Sequence, residues 1–124
     1  MTLYVRVIQG SETTFKGQTA TANSNSGTPS ATITTTRHGS LILVIVGDWA
    51  QAGLGTAGTN QTILAEHNPT GDYTSHVWRV NGLPYAGSYT TNLTAPGLED
   101  YNLSAVEIRQ ATWGGVPTRP TRMR

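Results

Sequence analysis

Three histidines (His38, His67, His76) and seven carboxylates are the residues of this chain able to move protons or hold a metal. Their spacing does not favour either role. No two histidines lie four apart as on a zinc-binding helix, and there is no cysteine to supply a thiolate nucleophile or a zinc ligand. A Ser-His-Asp triad is a spatial arrangement that spacing leaves open, yet no Gly-x-Ser-x-Gly elbow is present. The glycine-rich stretch 53–58 runs into Gly58-Thr59 rather than Gly-Lys-Thr, so it is not a phosphate cradle. The expectation is a protein that is not an enzyme, with no catalytic residue, no metal and no cofactor.

Binding chemistry is better represented. Trp49, Trp78, Trp113, Tyr73, Tyr85 and Tyr89 are large flat side chains able to stack on sugar rings, with Asn and Thr nearby to hydrogen-bond hydroxyls. Trp78 and Tyr89 fall inside alternating segments, where at least some must fill the core; Trp49 and Trp113 are the candidate glycan contacts. Asp48-Trp49 ends the longest apolar run, and two readings stand side by side. The pair is a ligand platform at a strand end, or an indole capping the core while Asp48 accepts turn N–H bonds; the second is favoured. The stretch 112–124 contains Gly114, Gly115, Pro117 and Pro120 and carries Arg119, Arg122 and Arg124, three of the eight basic residues. It reads as an extended basic tail. Either it is an arm that lies along a neighbouring subunit through strand addition or Arg–carboxylate pairing, or it is disordered; both readings stay open.

The elements that position these residues are strands. Leu41 to Val46 is an unbroken apolar run bounded by Gly39 and Gly47, too short for a typical helix and rich in β-branched residues. That is the pattern of a central strand covered on both sides. Leu3–Ile8, Thr19–Ala22, Ala31–Thr36, Gln61–His67, Tyr73–Val80, Ser88–Thr94 and Tyr101–Arg109 supply seven more strands, the last with a competing helical spacing. The stretches 9–12, 23–30, 50–59 and 68–72 read as turns and loops. Thr, Ser, Gly and Asn are plentiful and lysine occurs only at position 16, so surface helices lack their usual material. The expected fold is all-β: one antiparallel β-sandwich over residues 1–111, jelly-roll-like, with about eight strands, followed by the tail 112–124. Its core is expected to take Val5, Val7, Leu41, Leu43, Ile45, Leu64, Val77, Leu93, Val106 and Ile108.

Size and charge bound the rest. The 124 residues make one domain able to bury about two thirds of its unfolded surface. Charged residues are 12% of the chain and the net charge is +1, which gives no basic stripe for nucleic acid and no polybasic membrane face. The start of the chain lacks the charged and apolar regions of a signal peptide, and the one apolar run is too short to cross a bilayer.

Gly39–Trp49, Gln61–His67, Thr74–Arg79, Thr94–Pro96 and Tyr101–Arg109 together resemble a β-sandwich module of bacterial secreted proteins and of tailed-phage virion accessory proteins. In that module a Gly-Ser-apolar run-Gly-x-Trp strand pairs with a late Ala-Val-Glu-Ile strand. The resemblance covers roughly residues 39 to 110 and rests on core patterns, so it speaks to fold more than to activity. A small chain with a short basic tail favours the phage members over the long bacterial chains. What the resemblance implies is a structural protein at the surface of a tailed-phage virion, assembled in the host cytoplasm. A capsid decoration (cement) or minor capsid protein comes first, and a minor tail protein or a carbohydrate-binding adhesin module is the alternative. Its partners would be other virion subunits, a major capsid or tail protein, in many copies or as a homo-oligomer. A host-surface glycan is the further candidate ligand.

Overall fold

The computed structural model describes residues 5, 7–8, 11–49, 54–68, 73–83, 85–95, 97 and 99–111. Among them the regular elements are all strands, in chain order β1 (Ser11–Gly27), β2 (Ser30–Thr34), β3 (Leu41–Asp48), β4 (Thr56–Ala57), β5 (Gln61–His67), β6 (Thr74–Val80), β7 (Ser88–Ala95) and β8 (Glu99–Gln110). They form two antiparallel sheets, a five-stranded one ordered β1-β8-β3-β6-β5 and a three-stranded one ordered β2-β7-β4. The pairs β1·β8, β2·β7 and β3·β6 are nested, the arrangement produced when one long hairpin is folded over and rolled up. The architecture is thus an all-β, jelly-roll-like sandwich.

The core lies between the sheets. Ile42, Val44 and Val46 of β3, Trp78 and Val80 of β6, and Leu103 and Ala105 of β8 meet Ala31, Ile33 and Leu93 of the smaller sheet. Period-two alternation fixes which side chains point inward on most strands. On β3 the phase is opposite to the one expected, because an apolar run without polar interruptions carries no phase. Ile42, Val44 and Val46 are buried, while Leu41 and Leu43 are half-buried and Ile45 is 56% exposed on the far side. Val77 and Val106 share that outer face and are likewise half-buried, as is Leu64. Of the expected core, Leu93 is in the buried cluster, and Ile108 is buried but outside it. The central strand is therefore dry on its inner side only.

Other boundaries also move. Val5, Val7 and Ile8 lie outside any strand, with Val5 71% and Val7 80% exposed, so they belong neither to a first strand nor to the core. The polar stretch expected to be a loop, 23–30, instead continues β1 to Gly27 and begins β2 at Ser30. Pairing along the whole of β8, with register shifts that absorb the irregular bonds, overrides the turn preference of Asn and Ser there. The glycine-rich stretch contains the short strand β4, held by β7. Tyr101–Arg109 lies within β8 and is a strand, not a helix.

Candidate functional site

Three polar centres are built inside the sandwich. The most enclosed is Glu107 of β8, whose side chain is fully buried. The turn between β2 and β3 wraps it, with Gly39 at φ +71° making the bend. Oε1 accepts the Thr36 N–H at 2.7 Å, the Arg37 N–H at 3.2 Å and the Ser40 hydroxyl at 2.7 Å. Oε2 accepts the Gln18 N–H at 3.0 Å and the Thr36 hydroxyl at 3.0 Å. Burial alone pushes this carboxyl's pKa up. The hydrogen bonds from Gln18, Ser40 and Thr36 outweigh burial and hold it at about 2, against an ordinary 4.5. Glu107 is a buried anion that fastens β1, β8 and the β2–β3 turn together.

The second centre ties the two sheets at their closing edge. The Trp78 indole N–H lies 2.9 Å from Gln61 Oε1 and 2.6 Å from Thr91 Oγ1. The Gln61 amide in turn accepts the Asn92 N–H and donates to Asn92 Oδ1. Gln61 is on β5 and its partners Thr91 and Asn92 are on β7, so one side chain bridges sheets that share no ladder at this point.

The third is His76 with Glu66, Nδ1 to Oε1 at 2.9 Å, beneath Gly55, whose N–H also donates to Oε1 at 2.7 Å. The ring is fully buried, and its Nε2 has no partner among the described residues. The other histidines are elsewhere. His38 is exposed on the β2–β3 turn with its ring edge-on to Tyr85, and His67 sits at the end of β5 against Tyr73. Among the described residues no three His, Cys, Asp or Glu side chains gather in a way that would hold a metal.

The outer face of the five-stranded sheet is different in kind. Cross-strand register lays it out in rows: Thr19–Val106–Leu43–Arg79, then Thr21–Ser104–Ile45–Val77–Ala65, then Asn23–Asn102–Gly47–Ser75–His67. The middle of this face is a groove of about 920 Å³, with Leu43, Ile45, Val77, Val106 and Ala65 as its apolar floor. Lys16, Thr19, Thr21, Ser104, Ser75 and His67 form its rim. Trp49 lies over the third row: its six-membered ring is 3.5 Å from where a Cβ on Gly47 would stand, and the indole is 57% exposed. Trp49 therefore does not cap the core. The strand turns the indole outward, while its neighbour Asp48 is fully buried.

Of the candidate site residues, Trp49 is thus on an exposed face beside a groove. Trp113, Arg119, Arg122 and Arg124, with the whole tail 112–124, lie outside the described residues. Trp78 is buried and Tyr89 half-buried against the core, as their alternation requires. Sequence reasoning missed the Glu107 and His76–Glu66 centres. The available signal was a charged residue in the inward phase of an otherwise apolar strand, as at Ala105-Val106-Glu107. Compared with protein-family models, with curated proteins and with solved structures, the chain matches none.

Proposed function

We propose that this chain is a non-enzymatic structural protein of a tailed-phage virion, a capsid decoration or minor capsid protein that attaches to other virion subunits at the particle surface. The observation that carries the attachment is the outer face of the five-stranded sheet, where Leu43, Ile45, Val77 and Val106 form an uncovered apolar groove on a rigid block. Uncovered contiguous apolar surface marks a contact face more often than an ordinary solvent face. The phage setting is supported by the sequence resemblance over residues 39 to 110. Many symmetry-related copies would make individually weak contacts sufficient.

Purified particles test this directly. The protein is expected at a fixed ratio to the major subunit, to be shed when Ile45→Asp disrupts the groove, and to loosen when residues 112–124 are deleted. Its absence from such particles overturns the reading. A second reading, carbohydrate binding, is favoured by one observation: Trp49 is exposed over Gly47, whose cross-strand partners are Asn102 and Ser75. Glycan-array binding that is lost on Trp49→Ala, with melting unchanged, would replace the first reading by the second.

A further inference from the structure

The groove has a matching element elsewhere on the same chain. Leu3, Val5 and Val7 alternate with Tyr4, Arg6 and Ile8, so an extended segment presents an apolar row on one side. Val5 and Val7 stand 71% and 80% exposed and outside any strand, and Phe15 at the start of β1 is 50% exposed. These side chains do not cover their own groove. One chain thus leaves two sets of apolar side chains bare, Val5 and Val7 on one side and the groove floor on the other.

Their placement is compatible with exchange. The segment is tethered at Ser11, which pairs with Gln110 at the end of the β1·β8 ladder. On that side the groove is lined by Lys16, Val106 and Leu43, with the Leu41–Ile108 pair one row beyond them, at the end of the face away from Gly47 and Trp49. Ten residues precede Ser11 and reach about 33 Å when extended. Four inter-strand gaps of about 4.8 Å span the sheet, so the reach exceeds the width of the face.

We infer that the groove of one copy is filled by the N-terminal segment Leu3–Ile8 of a second copy. The inference rests on the reading of this face as a contact face and names its occupant. Leu3, Val5 and Val7 of the incoming segment pack on Leu43, Ile45 and Val106, and Arg6 stays on the solvent side. If each copy gives and receives a segment, the assembly closes as a dimer; if not, it continues into rings or open chains.

Light scattering on the purified full chain over a dilution series tests it. The expected mass is at least twice 13.2 kDa. The double variant Val5→Asp/Val7→Asp, altered only where the side chains already meet solvent, is expected to be a monomer with unchanged melting. Ile45→Asp is expected to be a monomer as well. The decisive step is mixing the two variants: one has an intact groove and the other an intact segment, so together they are expected to associate in pairs. A monomeric wild type, an assembly that survives Val5→Asp/Val7→Asp, or variants that do not complement each other would each overturn the inference. Particle retention separates this from failure of the broader reading. If Val5→Asp/Val7→Asp stays on particles while Ile45→Asp is shed, the face binds a different subunit and only the second-copy occupant is wrong.

Discussion

The two outer faces of the sandwich are made from different residues. The three-stranded sheet turns Ser30, Thr32, Thr34, Ser88, Thr90 and Thr94 to solvent, all exposed, and Thr32 and Thr90 bond across it at 3.2 Å. The five-stranded sheet turns out Leu43, Ile45, Val77 and Val106 over its central strands. Both faces have the same pleat and the same strand preferences to satisfy, and β-branched hydroxyl residues satisfy them well on the first. The apolar choice on the second is therefore not imposed by the need to form a sheet. It is the composition that the contact role proposed above would call for.

The strongest way to sharpen the comparison is to step through β3, where neighbouring residues face opposite ways. Ile42→Ala empties space in a fully buried cluster and should cost about 2–5 kcal/mol, whereas Leu43→Ala on the groove should cost less than about 1 kcal/mol. Chemical denaturation of both variants measures the gap. Equal losses would mean that the outer face is covered in the free protein, and the contrast between the two outer faces would disappear.

Next in size is Glu107, the anion behind the face. Its folded pKa of about 2 lies below the ordinary 4.5. The native state therefore binds its proton less readily than the unfolded chain. The stabilisation is fully present above about pH 4.5 and is lost as pH falls from there towards 2, on the order of 3 kcal/mol in all. Glu107→Gln should remove most of that at neutral pH, because an amide N–H₂ replaces one acceptor among N–H donors. It should also flatten the acid limb of the stability curve between pH 4.5 and 2. An unchanged acid limb in the variant would show that other carboxylates set it.

How much of this was legible depends on what each strand's sequence alternates. Ser88–Thr94 sets Tyr89, Thr91 and Leu93 against polar neighbours, so both its extent and its inward phase could be read. Tyr73–Val80 was evident as a strand but carries valine in both phases, and Val77, expected inside, lies on the outer face. Leu41–Val46 does not switch, and a strand was evident there while its phase was not. The inward side is fixed by its ends, where buried Ser40 and Asp48 lie in the phase of Ile42, Val44 and Val46. β1 was hidden for the opposite reason. Its Asn and Ser residues favour turns locally, and only the ladder to β8, some eighty residues on, holds them extended. The Trp49 ring followed the strand's pleat outward, and a rule about buried aromatics in small cores had no means of knowing that.

A middle-sized effect should come from making the second face resemble the first. Ile45→Thr with Val77→Thr keeps β-branching and takes apolar surface out of the groove floor. Stability should change by no more than about 1 kcal/mol, since Ile45 is already more exposed than buried. Fluorescence of an apolar dye bound to the free protein should fall sharply. A large loss of stability would mean that the groove floor is part of the load the fold must bury, not a surface held in reserve.

The smallest effect is expected on the polar face, and its sign is informative. Thr32→Val keeps the shape and the β-branch and removes the hydroxyl bonded to Thr90 in full solvent. An exposed hydroxyl pair contributes a few tenths of a kcal/mol, and Val matches Thr in strand preference, so melting should barely move. What should change is behaviour at high concentration. One valine is a scattered apolar residue of the ordinary kind, but Thr32, Thr34 and Thr90 all changed to valine would make a second contiguous apolar patch. If that triple variant stays as soluble as the parent while the wild type self-associates through its groove, then shape, and not apolar area alone, makes the five-stranded face a contact surface.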